Sequence, residues 1–106
     1  MTKYTEEEIF SGAITLWLLI EVERAGTNLA ELEQESGISD YRTGRKVRAV
    51  RDGERRWTIN DLYKITKHFR IDMSLAINQV EFLAKTRRDD IVLILKGDYK
   101  KATNFY

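Results

Sequence analysis

The apolar positions of this 106-residue chain fall into blocks whose spacing predicts helices along most of its length. In the first block Ile9, Phe10, Ala13, Ile14, Leu16, Trp17 and Ile20 recur at spacings of three and four, which marks one helical face, while Leu18, Leu19 and Val22 widen the stripe beyond it. A long first helix to about Arg24 is predicted, buried on more than one side, packing either under the C-terminal segment or against a second subunit. Thr5 and Glu8 have capping-box spacing at its start, and Glu6, Glu7 and Glu8 occupy the first turn, where the helix dipole favours acids. Ala25-Gly26 ends it, with Gly26 suited to a left-handed C-terminal position.

Thr27 or Asn28 then caps a short helix carrying Leu29 and Leu32 inward, which Ser36-Gly37 stops. Ser39 and Asp40 can cap the next helix, because a side-chain oxygen there accepts from a free backbone N–H. Helical periodicity puts its Thr43, Val47 and Val50 on one narrow arc and Tyr41, Arg45, Arg48 and Ala49 on the opposite one, with Arg42 at the edge. Asp52-Gly53 marks a turn. Trp57 is read as a core plug rather than a base-stacking group. Thr58 and Asp61 cap a further helix with Ile59, Leu62, Ile65 and Phe69 inward, Tyr63 and Thr66 at the border, and Lys64 and Lys67 outside.

Ile71 to Met73 connects to a fifth helix, capped by Asp72 or Ser74 and running through about Arg88. Ala76, Ile77, Val80, Leu83 and Ala84 face in, leaving Leu75 and Phe82 to cover something else. After a break at Asp89-Asp90, the β-branched run Ile91 to Leu95 and the turn signal Lys96-Gly97-Asp98 predict a short strand, or a hairpin with Tyr99 to Phe105. Continuation of the fifth helix is the alternative. A lone strand needs a partner, which makes the tail a candidate for pairing across a dimer.

Composition places the chain among folded domains, 42% hydrophobic and 33% charged, at a length that supports one core. It contains no cysteine, so a disulfide framework, a thiolate metal site and a cysteine nucleophile are excluded. The longest apolar run, Ala13 to Ile20, falls short of the roughly 20 residues of a membrane helix, and acids rather than bases precede it. These features predict a cytoplasmic protein. His68 stands without other histidines and is read as a surface or capping residue. No nucleophile–base pair, metal cluster or phosphate-cradling glycine loop is legible, so neither an enzyme nor a cofactor or small-molecule ligand is expected.

Net charge is only +1, but it is distributed unevenly along the chain. Residues 1–40 hold nine acids against two bases, a net of −7; residues 41–70 hold ten bases against three acids, a net of +7; residues 71–106 add six bases and five acids. Seven of the bases lie within 42–56, directly after the turn signal at Gly37. A basic helix after a turn points to nucleic acid rather than to a merely solvated face.

Read as LAELEQESGI, then RKV, then RRWTINDLYKI, the region from about residue 10 to 78 resembles Cro/Xre-type helix-turn-helix repressor domains, particularly those of actinobacteria and their phages. Three features depart from that pattern. Glu33 stands where the family carries Ala or Gly, Thr43 replaces an apolar residue and precedes Gly44, and Gly37 to Gly53 is longer than usual. The resemblance implies that Ser39, Asp40, Tyr41, Gly44, Arg45 and Arg48 face DNA bases, with Arg45 or Arg48 able to read guanine through a bidentate fork. Arg42, Lys46, Arg51, Arg55 and Arg56 would hold phosphates.

The expected fold is therefore mainly α, a five-helix Cro/Xre-like helix-turn-helix domain over residues 1–90 with a short C-terminal strand or hairpin in a tail over 91–106. The expected function is a double-stranded DNA-binding transcriptional regulator, a repressor acting as a homodimer. The alternative is a protein-interaction module, such as an antitoxin-like partner, gripping another protein with the hydrophobic first helix and the tail.

Overall fold

A computed structural model describes residues 4–27, 31 and 56–98 of the chain. Among them are four helices and no strand: α1 (Glu6–Ala25), α2 (Ile59–Phe69), α3 (Met73–Thr86) and α4 (Arg88–Leu95). The chain is mainly helical, as its periodicity predicts. Three of the expected five helices are present as α1, α2 and α3; the fourth described helix stands where a strand was expected. The two helices of the expected motif fall within 28–55, outside the described residues except for Glu31.

The structure is organised around α1. Thr5 and Glu8 form the capping box, the Glu8 backbone N–H donating to Thr5 Oγ1 at 3.1 Å and the Thr5 N–H to Glu8 Oε1 at 3.1 Å. Gly26 closes the other end in the left-handed region at φ 70°. Residues 11–19 are buried without interruption, so the middle of α1 is enclosed around its whole circumference rather than along a stripe. Of the two covers considered for its wide apolar surface, the C-terminal segment supplies one, because α4 and α3 both pack on α1.

The strand expected at Ile91 to Leu95 is a helix, and the reason lies in α1. Ile91, Ile94 and Leu95 recur at i, i+3 and i+4 and are all buried, a helical face aimed at Gly12. A Cβ at position 12 would lie 2.7 Å from Ile91 Cγ2 and 3.1 Å from Leu95 Cγ, so the missing side chain is what lets the two helices approach. Local signals agree: Asp89 and Asp90 sit in the first turn of α4, and Arg87 pairs with Asp90. The break from α3 therefore falls at Arg87 rather than at Asp89-Asp90. Lys96-Gly97 does turn the chain, but as a helix terminus rather than a hairpin: Gly97 has φ 90°, and the Asp98 N–H returns to the Leu93 carbonyl at 2.8 Å. The partner expected in Tyr99 to Phe105 lies outside the described residues.

α2 carries its capping box, with the Thr58 N–H donating to Asp61 Oδ2 at 3.0 Å and the Asp61 N–H to Thr58 Oγ1 at 3.2 Å. Its inward face is Asp61, Leu62, Ile65 and Thr66, with Phe69 half-buried. Ile59 was expected on that face and is 60% exposed. It lies at the edge of the arc, about 80° from the centre of the buried face, while Trp57 and Asp61 on either side of it are buried. On α3, Ala76 and Val80 are fully buried and Ile77, Leu83 and Ala84 pack against them, as the spacing predicts. Asp72 occupies the N-cap without a side-chain bond.

Candidate nucleic-acid interface

The segment that carries the basic residues is entered and left at two places fixed on α1. At the entry Thr27 follows the Gly26 cap, its backbone N–H donating to the Val22 carbonyl of α1 at 3.0 Å and its hydroxyl to Glu31 Oε2 at 2.7 Å. At the exit Trp57 is buried at 6% exposure, which confirms it as a core plug. Its backbone N–H donates to Ser11 Oγ at 2.8 Å and its indole Nε1–H to Thr15 Oγ1 at 2.7 Å. Ser11 and Thr15 are one helical turn apart on α1, so one hydroxyl meets the backbone and the other the ring of the same residue. The Thr15 hydroxyl also donates to the Ser11 carbonyl at 3.4 Å, so both of its capacities are used in a buried setting.

Arg56, the last of the seven bases, is half-buried beside Glu8, with Nη2 3.3 Å from Glu8 Oε2. Glu8 thus works twice, as the capping acid of α1 and as the partner of Arg56. Its carboxyl is held below the ordinary glutamate value first by the Thr5 backbone N–H, with burial opposing and the Arg56 guanidinium adding to the lowering. The phosphate-holding role expected of Arg56 is therefore shared with an intramolecular acid. The other expected contacts, Ser39, Asp40, Tyr41, Gly44, Arg45 and Arg48 for bases and Arg42, Lys46, Arg51 and Arg55 for phosphates, lie outside the described residues.

Beyond Trp57, α2 presents Tyr63 outward, with Lys67 Nζ 5.6 Å from its ring centroid. His68 is half-buried in the last turn, its ring edge-on to Phe69 at 5.1 Å between centroids. No group of three or more acidic, histidine or cysteine side chains among the described residues could hold a metal ion. No described helix is long and apolar enough to cross a membrane. Sequence reasoning missed three contributors: Ser11 and Thr15, whose signal is a pair of hydroxyls four apart inside an apolar helix, and the Glu8–Arg56 pair, which spans 48 positions and leaves no local pattern. Protein-family models, curated proteins and solved structures offer no match to this chain.

Proposed function

We propose that the chain is a sequence-specific double-stranded DNA-binding regulator, a repressor that works as a homodimer in the cytoplasm and reads the major groove with a helix around residues 40–51. The observation that carries this reading is the partition of charge, −7 over residues 1–40 against +7 over 41–70, with seven bases within 42–56. The geometry at both ends of the segment supports it. Thr27 is held to the second half of α1 by its backbone N–H on the Val22 carbonyl, and Trp57 to the first half by Ser11 and Thr15, which suits a scaffold that presents the chain between them to a rigid ligand.

In this reading Arg45 or Arg48 donates two parallel bonds to guanine O6 and N7, with Ser39, Asp40, Tyr41 and Gly44 beside them at the base edges. Arg42, Lys46, Arg51 and Arg55 hold phosphates and set the register, and Arg56 does so while tethered to Glu8. Two subunits would read half-sites about one helical turn, roughly 34 Å, apart. The antitoxin-like alternative called on the first helix and the tail as a gripping surface. Residues 11–19 of the one, and Ile91, Ile94 and Leu95 of the other, are buried within this chain's own core.

Selection of bound sequences from random duplex DNA tests the proposal, and enrichment of a paired motif is the expected result. Arg45→Ala or Arg48→Ala should then cost about 1–3 kcal/mol of preference for the selected site. Absence of any enriched motif contradicts sequence-specific binding, and equal losses on selected and random duplex remove both residues from the base-reading set.

A further inference from the structure

Among the described residues, α2 is the one helix whose exposed charges are all of one sign. By contrast α1 exposes Glu6, Glu7 and Glu23 with Arg24, α3 exposes Glu81 with Lys85, and α4 exposes Asp89 with Arg88. On α2 the single acid, Asp61, is 2% exposed and turned inward as the capping acid. The helix dipole accounts for cations in the last turn, but it also favours acids in the first, where α2 exposes none. Asn60, Tyr63 and Lys67 recur at i, i+3 and i+7 on an arc opposite the buried Leu62 and Ile65, and Arg70 follows at the C-cap. All four are exposed, and neither Lys67 nor Arg70 is ion-paired with an acid among the described residues.

We propose that this face of α2 rests on the sugar–phosphate backbone of the duplex just outside the bases that the preceding segment reads. The inference depends on the DNA-binding function proposed above and extends its footprint. Asn60 and Tyr63 donate to phosphate oxygens alongside the two cations, all side-chain types that hold phosphates. Lys67 Nζ lies 5.6 Å from the Tyr63 ring centroid, so ammonium and phenol are already held together and less freedom is lost on binding. Ile59, 60% exposed one turn before Tyr63, gives the stripe an apolar end for sugar carbons. From Asn60 to Arg70 the donors are strung along about 15 Å of helix rather than converging on one point. A linear polyanion with a charge about every 1.7 Å meets the whole row, whereas a single bound anion reaches one or two members of it. Continuity selects the duplex over an acidic protein: only Trp57 and Thr58 separate α2 from Arg55 and Arg56, and Trp57 is fixed on α1.

The test measures binding of the full chain to a selected duplex in two lengths, trimmed to the enriched motif and extended at each end by one helical turn, about ten base pairs. Two added cation contacts at about −0.9 each should steepen the salt slope on the longer duplex by about two units per subunit, so its advantage shrinks roughly tenfold per subunit between about 50 mM and 200 mM salt. Lys67→Gln combined with Arg70→Gln should abolish this length advantage and leave binding to the trimmed duplex unchanged. Tyr63→Phe should reduce it, and Lys85→Gln, which removes a cation from α3, should not alter it. Circular dichroism of these variants should match the parent, because the side chains are exposed. Equal affinity for the two lengths, a length advantage that survives the double variant, or equal weakening of both lengths by it overturns the proposal. A chain that selects no motif loses the DNA-binding reading as well, whereas one that selects a motif and gains nothing from length loses this inference alone.

Discussion

The Thr15 hydroxyl accepts from the Trp57 indole and donates to the Ser11 carbonyl inside the core, so replacing it by the isosteric Val leaves a buried N–H without its acceptor. That loss costs about 1–3 kcal/mol, and Thr15→Val should lower stability to chemical denaturation by this amount. Gly12 is governed by space rather than bonding. Gly12→Ala gains roughly 1 kcal/mol of helix propensity but drives a methyl to 2.7 Å from Ile91 Cγ2, and overpacking of that kind costs about 1–3 kcal/mol. A net destabilisation is expected in the same assay; a more stable variant would mean that α4 can step back freely. Glu8 gives a pH signature. Its folded-state pKa lies below the unfolded one, so its contribution is complete above about pH 4.3, the ordinary glutamate value, and disappears as pH falls through the lowered one. Glu8→Gln should therefore be less stable than the parent at neutral pH and converge with it in acid. A gap that stays constant from pH 7 to pH 3 would detach the lowered pKa from folding.

At the scale of elements, α4 changes what a truncation should do. Cutting the chain after Asp90 removes Ile91, Ile94 and Leu95 from the core, where losing a single buried Ile or Leu side chain costs about 2–5 kcal/mol. Three such losses reach the whole stability of a small domain, so the truncated chain should lose cooperative unfolding; a cooperative transition would show that α1 is adequately covered without α4. The comparison of α4 with α1 and α2 shows what the sequence could and could not tell. Thr5/Glu8 and Thr58/Asp61 are local signals, complete within four residues, and both capping boxes form as their spacing predicts. Ile91 to Leu95 has no such marker: five apolar residues fit a strand or a buried helix equally, and the deciding contact is Gly12, nearly 80 positions away. Ile59 is misplaced for a different reason, since it sits at the edge of the helical arc, where periodicity does not decide between core and solvent.

For the molecule as a whole, the candidate interface was legible as charge, because seven bases in fifteen residues need no tertiary knowledge. The tether of Arg56 to Glu8 and the anchoring of Trp57 on Ser11 and Thr15 were not, since each joins parts of the chain more than 40 positions apart. The central claim, that this segment holds a DNA duplex through its phosphates, is most directly tested by the salt dependence of binding to a selected duplex. Five assigned phosphate contacts per subunit, at a slope of about −0.9 each, predict that log K falls with log salt at roughly −4 to −5 per subunit bound. Arg55→Ala should make that slope shallower by about one unit on every duplex. A slope near zero, or one that Arg55→Ala leaves unchanged together with the affinity, would contradict the account.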